Sequence, residues 1–424
     1  MKKIAYTSII SILSLLLFTG CGNNSDDNII NISILNSKPE IVNALNDIIE
    51  DFTEENSDIN IKLVKYSSSI SYKDKLNSLK ALNNMPTLSL IDASQIKDYR
   101  DIAADLSSEE WVNNLSLGAS DISKNSNGEI IAFPFSIEGA GFLYNKKVTD
   151  AAGIDINSIN TIAELEDAFI KVNAIGKDAL ILSYEDWSLG DHFLSTFYSV
   201  DSNKFTNKDE YFKNLKANVD TLAENPTLNG LLDVLDLMKK YNMYSDDPSI
   251  PSYDKCSEIF GKGEVGFWYM GNWASPSILS NSNGNSDFGV IPVPISNNDS
   301  DYGNNEVVAG VTKYFIIDKN KSAAQQEAAK KFLNYLVSTE KGNKFLVEDC
   351  GIITAFNNIE PLNNDPLVSE LTNYLINNRA IEFMTSYLPA GNSDIIGSAL
   401  VKYVNNEISR ADLINQISEF WKEN

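Results

Sequence analysis

The chain holds one histidine, His192, and three cysteines, Cys21, Cys256 and Cys350. A Ser-His-Asp triad or a histidine-based metal site therefore has little to draw on. Cys256 and Cys350 lack the paired spacing of a zinc site, so neither a metal nor a cofactor is expected. In an exported chain the two could form a disulfide, or they could sit in the core as small hydrophobes. Gly261-Lys262-Gly263-Glu264-Val265-Gly266 has the glycine spacing of a dinucleotide-binding turn. That turn needs a strand before it and a helix after it. Here a helix end at Ser257 to Phe260 comes first and a strand at Val265 to Met270 follows, so the glycines read as a helix-to-strand turn. With 58 acidic residues, some pair at the ~5–10 Å spacing of a glycoside hydrolase is inevitable, and no pair is marked as catalytic.

The aromatic residues say more. Tyr184, Trp187, Trp268, Tyr269 and Trp273 lie in short polar-aromatic clusters rather than in apolar runs. Sugars present C–H faces that stack on such rings. Carboxylates and amides between the rings can then fix hydroxyl groups inside a cleft. Trp187 and Trp273 read as cleft rings. Trp268 and Tyr269, inside a strand-like run, suit a core and a cleft equally well.

These residues need a scaffold, and the hydrophobic pattern supplies one. Ile32 to Leu35 reads as a strand, after which Ile41, Val42, Leu45, Ile48, Ile49 and Phe52 recur at helical spacing. Ile59 to Val64, a helix around Tyr72 to Leu82, and a buried strand at Leu88 to Ile91 continue the alternation, which predicts parallel α/β sheet. Thr161-Ile162-Ala163-Glu164 is a capping box, and Leu231 to Tyr241 and Ala323 to Leu336 are amphipathic helices. Asn36 and Ser37 follow the first strand, and Asp92 and Ser94 follow a later one. Strand carboxyl ends would place both pairs in a cleft, although simple turn chemistry accounts for Asn36, Ser37 and Ser94 as well.

The amino terminus carries an export pattern: Lys2 and Lys3, an apolar stretch from Ile9 to Phe18, then Phe18-Thr19-Gly20-Cys21 before a polar run. The stretch falls short of the ~20 residues that span a bilayer. Residues 1–20 are expected to be a signal peptide, Cys21 to carry lipid, and residues 21–31 to form a tether. The alternative is ordinary secretion with Cys21 a bystander. Two or more acyl chains would anchor the protein durably to the outer face of the cell membrane, or facing the periplasm in a Gram-negative-type envelope. The folded remainder exceeds the ~250–300 residues at which one core splits, so two lobes are expected. A formal charge of −24 makes nucleic acid an unsuitable partner. It reads as a solvated acidic surface, or as a preference for cationic ligands.

Three stretches in this order resemble the family 1 extracellular solute-binding proteins of ABC importers, the family of the maltose-binding protein. The first runs Ile131-Ala132-Phe133-Pro134-Phe135-Ser136-Ile137-Glu138 and on through Gly139 to Lys146; the second runs Phe260 to Gly266 and then Met270-Gly271-Asn272-Trp273; the third is Phe288-Gly289-Val290-Ile291-Pro292-Val293-Pro294. The resemblance implies a two-lobed α/β periplasmic-binding-protein-like fold of type II. The first lobe would hold residues 32–134 and 295–345, the second 138–290 and 346–424, with hinge crossings at 135–137 and 291–294. It further implies a stacking role for Trp273, a polar ligand contact for Glu138, and cleft aromatics in Tyr184 and Trp187. At Ile91, and near Ile395 and Ile396, the chain is aliphatic where maltose-type relatives carry rings. The expected function is a monomeric receptor, not an enzyme, that hands a mono- or oligosaccharide to ABC permease subunits driven by separate ATPases. A polyamine receptor of the same fold and a lipid-anchored glycoside hydrolase are the rival readings.

Overall fold

The computed structural model describes residues 29–424 except 66–70, 117, 184, 246–250, 362–364 and 390. Nine strands are present among the described residues: β1 (Ile30–Leu35), β2 (Ile59–Leu63), β3 (Leu88–Asp92), β4 (Phe133–Asn145), β5 (Asp178–Ile181), β6 (Val265–Gly271), β7 (Phe288–Ile291), β8 (Val307–Ile317) and β9 (Ala380–Glu382). They are ordered β2-β1-β3-β8-β4-β6-β5, with β7 also on β4 and β9 on β8. The expected parallel pairing holds for β1 with β2 and β3. The sheet as a whole is mixed, because β8 runs antiparallel to β3 and β4, and β4 runs antiparallel to β6 and β7.

Helices pack on these strands as their periodicity requires. Val42–Glu55 buries Leu45, Ile48, Ile49 and Phe52 on one stripe. Ile162–Ala174 starts at Thr161, whose hydroxyl accepts from the Glu164 N–H at 3.2 Å while the Glu164 carboxylate accepts from the Asn160 N–H at 2.9 Å. Cys256 and Cys350 are free thiols buried in separate cores, which removes the disulfide option. Trp268 and Tyr269 are core residues.

Burial along β4 and β8 locates the passage between lobes. Phe133 and Phe135 of β4 belong to the first-lobe core, Ile137 is half-exposed, and Ala140, Phe142 and Leu143 belong to second-lobe cores. The β4–β8 register shifts on either side of Ser136. Strand β8 makes the return: Val307, Val308 and Ala309 are buried in the second lobe, Gly310 to Lys313 are half-exposed, and Tyr314 to Ile317 are buried in the first.

The return crossing therefore lies at 310–313 and not at 291–294. Pro292 and Pro294 lack N–H donors and end β7, which mimics a crossing in the sequence. Their apolar neighbours Ile291, Val293 and Ile295 instead pack into the second-lobe core. Gly230 of the helix Pro226–Tyr241 permits this, since a Cβ there would meet the Ile295 carbonyl oxygen at 1.8 Å. Phe345, Leu346, Val347, Cys350, Ile352, Phe356 and Ile359 likewise pack into the first-lobe core, contrary to the expectation that places 346–424 in the second lobe, while Ile353 packs with a second-lobe core.

One half-buried acid makes the second lobe pH-sensitive. Glu370, on the helix Pro366–Ile376, accepts from the Val290 N–H at 2.7 Å and from the Tyr144 hydroxyl at 3.2 Å. Burial pushes its carboxyl up to about 7. A raised carboxylate pKa means that the folded state holds the proton more tightly than the unfolded chain does. The associated stability is present at acid pH and is lost as pH rises from the ordinary glutamate range through 7. Glu370→Gln keeps a neutral side chain of the same shape. The variant is expected to melt with the parent at pH 4.5 and to exceed it by about 1–3 kcal/mol at pH 8. Parallel melting curves at both pH values without that divergence would refute the assignment.

Candidate binding cleft

Strand β6 ends at Gly271, and the chain turns through Asn272 and Trp273. The Asn272 side-chain oxygen accepts from the Gly139 N–H at 2.9 Å, tying this turn to β4. The Trp273 ring folds back over Gly271, where a Cβ would meet ring carbons at 2.1 and 2.3 Å. Only glycine allows that approach.

Trp273 joins an aromatic cluster. Its ring centroid lies 6.1 Å from Trp187 and 5.0 Å from His192, and His192 lies 5.1 Å from Trp187 and 5.0 Å from Phe383, mostly edge to face. Such pairs add about 0.5–1.5 kcal/mol each beyond burial, so the cluster is a stiff wall. Trp187, His192 and Trp273 are all half-buried. Trp187 and His192 come from a segment with a π-helical turn at Ser188–Phe193, and a second such turn, Ser393–Gly397, packs against it. Turns of this kind concentrate at functional sites. Gly190 and Gly397 let the two backbones touch. The Asn392 amide donates to the Gly190 carbonyl at 3.0 Å and to Asp191 at 2.8 Å.

Charged groups act on this wall electrostatically. Asp92 ends β3, is half-exposed, and forms an ion pair with Lys313 of β8. Ser94 sits half-buried in the turn that follows. Glu138 is buried: its Oε1 accepts from the Lys38 ammonium at 2.7 Å and its Oε2 from the Thr312 hydroxyl at 2.6 Å. Burial alone would raise the Glu138 carboxyl, but the Lys38 and Lys313 charges and these hydrogen bonds hold it down at about 2. Lys38 is pushed above the usual lysine range, because Glu138 and Glu40 outweigh the burial that opposes its charge.

Burial lowers His192 to about 4, with Glu138, Lys313 and Asp92 acting on it as charges, so the imidazole is neutral at pH 7. Its Nδ1 is buried without a partner among the described residues. Burial raises Asp191 to about 6, opposed by the Asn392 bond and assisted by Asp92 and Asp394.

Among the residues expected from the sequence, Trp187 and Trp273 meet directly, and the charges of Asp92 and Glu138 act on His192 beside them. Asn36 serves its own turn, donating to the Lys38 carbonyl at 2.6 Å and accepting the Lys38 N–H at 3.0 Å. The Ser37 hydroxyl is buried without a partner among the described residues. Tyr184 and Cys21 lie outside the described residues. Ile91 and Ile396 are fully buried and line no cleft, whereas Ile395 is 53% exposed. His192, which the sequence offered only as too little for a triad or a metal site, sits inside the aromatic cluster. It and Asp191 follow Trp187 in the same polar-aromatic run, a signal that was available. Phe383, Asn392 and Lys38 come from distant segments with no local signature.

The family profile described as bacterial extracellular solute-binding protein matches residues 47–372. The melibiose/raffinose/stachyose-binding protein MelE of Bacillus subtilis (strain 168) is 20% identical over 383 residues, covering 88% of this chain and 84% of MelE. Among solved structures, the solute-binding protein RafE in complex with raffinose superposes with a TM-score of 0.79 at 18% identity, covering 93% of this chain and 99% of that one. A Bacillus licheniformis sugar transporter in complex with stachyose superposes with a TM-score of 0.70 at 19% identity, covering 93% and 100%. With the two-lobed fold shared across their full length and the profile spanning most of the sequence, this chain belongs to the bacterial extracellular solute-binding protein family.

Proposed function

We propose that the protein captures a neutral oligosaccharide in the cleft and passes it to an ABC importer permease, without catalysis. The observation that carries this reading is the half-buried Trp187–His192–Trp273 wall beside hydrogen-bonding carboxylates. Rings offer stacking faces to sugar C–H groups, and Asp191 and Asp92 offer acceptors for hydroxyls. The ligands named for the relatives, melibiose, raffinose and stachyose, support the same class. A polyamine is disfavoured because Asp92 and Glu138 already have lysine partners, Lys313 and Lys38.

A thermal-shift series with raffinose, stachyose, melibiose, maltose and spermidine tests the proposal. A sugar at 100 times its Kd adds about 2.7 kcal/mol to stability. Stabilisation by spermidine alone, weakening steeply with salt, would favour the polyamine reading. Release of reducing ends from an oligosaccharide would favour a hydrolase.

The export pattern completes the proposal: a monomer anchored through lipid on Cys21 at the outer face of the cell membrane. Cys21→Ser removes the thiol that would carry the lipid. The variant is expected to lose incorporation of labelled fatty acid and to accumulate as precursor or leak into the medium. Undiminished labelling would overturn the anchor.

A further inference from the structure

We propose that the buried Lys38–Glu138 ion pair is a positioning device that fixes the angle between the lobes, and that Glu138 does not contact the ligand. The inference rests on the two-lobed fold and is independent of which solute is bound. Lys38 stands in the turn after β1 in the first lobe, held by both ends of the Asn36 amide. Glu138 stands in β4 beside half-exposed Ile137, where the chain passes into the second lobe. Thr312, its other partner, stands in the half-exposed return stretch of β8. One carboxylate thus ties together a first-lobe turn and both crossing strands.

The residues flanking the crossing are tied as well. The Ile137 N–H donates to the Ile353 carbonyl at 2.8 Å, and the Gly139 N–H donates to Asn272 at 2.9 Å. Each Glu138 oxygen already has a protein donor, and its side chain is only 9% exposed, with that of Lys38 at 7%. A ligand hydroxyl finds no open side there.

Stability alone does not account for the pair. Taking two charges out of water offsets much of their attraction, and a well-packed apolar pair often serves as well. What an ion pair adds is geometry, because a rotation of the lobes that parts Lys38 from Glu138 leaves a buried charge unpaired. The pair is formed here while the lobes touch elsewhere: the Lys97 ammonium of the first lobe donates to the Leu388 carbonyl of the second at 2.9 Å. It therefore favours the closed arrangement.

The test compares the parent with Lys38→Met/Glu138→Leu, which leaves no buried charge unpaired, since Glu40, the other partner of Lys38, is 40% exposed, and with Thr312→Val, which removes one bond to Glu138. Small-angle scattering of the empty protein is the primary readout. The double variant is expected to keep its melting temperature and to show a larger radius of gyration, with Thr312→Val shifted less in the same direction. Raffinose affinity should fall by the same factor as the closed population, roughly three- to tenfold. An unchanged scattering profile in both variants would overturn the proposal. So would Glu138→Gln losing raffinose affinity while its empty profile matches the parent, since that is the behaviour of a ligand contact. If the parent binds no raffinose, the sugar reading fails and the scattering comparison still decides this one.

Discussion

Trp273→Ala is expected to weaken sugar binding by about 1–3 kcal/mol, roughly 5- to 150-fold, because the lost ring face is the scale of one buried aromatic surface. The ring is half-buried and touches two second-lobe cores from their edge. Its removal therefore also costs some stability, yet in a chain of this length about 1 kcal/mol shifts the melting temperature by only a few degrees. The loss should appear mainly as faster dissociation, since the cleft stays open to encounter. Calorimetry with raffinose beside a melting curve separates the cases. Parent-like affinity together with a large drop in melting temperature would place Trp273 in the core and remove it from the site.

Much of the scaffold was legible because local rules and tertiary packing agree there. The stripe Leu45, Ile48, Ile49 and Phe52 has no other use than burial, and the helix Val42–Glu55 buries it. The Thr161 to Glu164 cap is a purely local bond pattern, and half of it formed as expected: the Thr161 hydroxyl accepts from the Glu164 N–H, whereas the Glu164 carboxylate reaches one residue further back, to the Asn160 N–H. The return crossing was hidden for the opposite reason. Gly310-Val311-Thr312-Lys313 looks like any strand with one wet face, and only its pairing with β4 across two cores shows that it bridges them. The Ile291 to Ile295 segment carried a stronger local signal, two prolines among β-branched residues, and that signal marked a strand end and no more.

The site divides along the same line. Trp187 and Trp273 stood out by composition, since large rings in polar surroundings have few structural uses. Lys38 and Glu138 are 100 residues apart in the chain. Their pairing depends on where the turn after β1 lies relative to the β4–β8 ladder, a long-range outcome without local trace. Asn36 was legible as a turn residue or a cleft residue, and the structure shows the turn: its amide holds the backbone of Lys38. Its contribution to the cleft is thus indirect, through the lysine that it presents to Glu138.

The second large effect is expected from a residue that touches no ligand. Gly397 ends the second π-helical turn, and a Cβ there would meet the Asp186 carbonyl oxygen at 2.2 Å and its carbonyl carbon at 2.7 Å. Backbone cannot swing aside as the tip of a side chain can, so Gly397→Ala must part the two turns. Asp186 immediately precedes Trp187, and a Cβ on Gly190 would in turn sit 2.7 Å from the Gly397 nitrogen. The displacement therefore reaches Trp187 on one side. On the other it reaches His192 and Asp191, through the Asn392 bonds to Gly190 and Asp191. Overpacking of this kind costs about 1–3 kcal/mol of stability. Raffinose binding should fall further than in Trp187→Ala, because three cleft residues move at once. Ser398→Ala is the matched control, since it removes only the 3.0 Å bond from Ser398 to the Asp186 carboxylate and leaves the backbones in contact. Calorimetry and the near-ultraviolet circular dichroism of the tryptophans measure both variants. If Gly397→Ala bound and melted like the parent, the two turns would not be in contact in solution, and the scaffold assigned to the aromatic wall would be wrong.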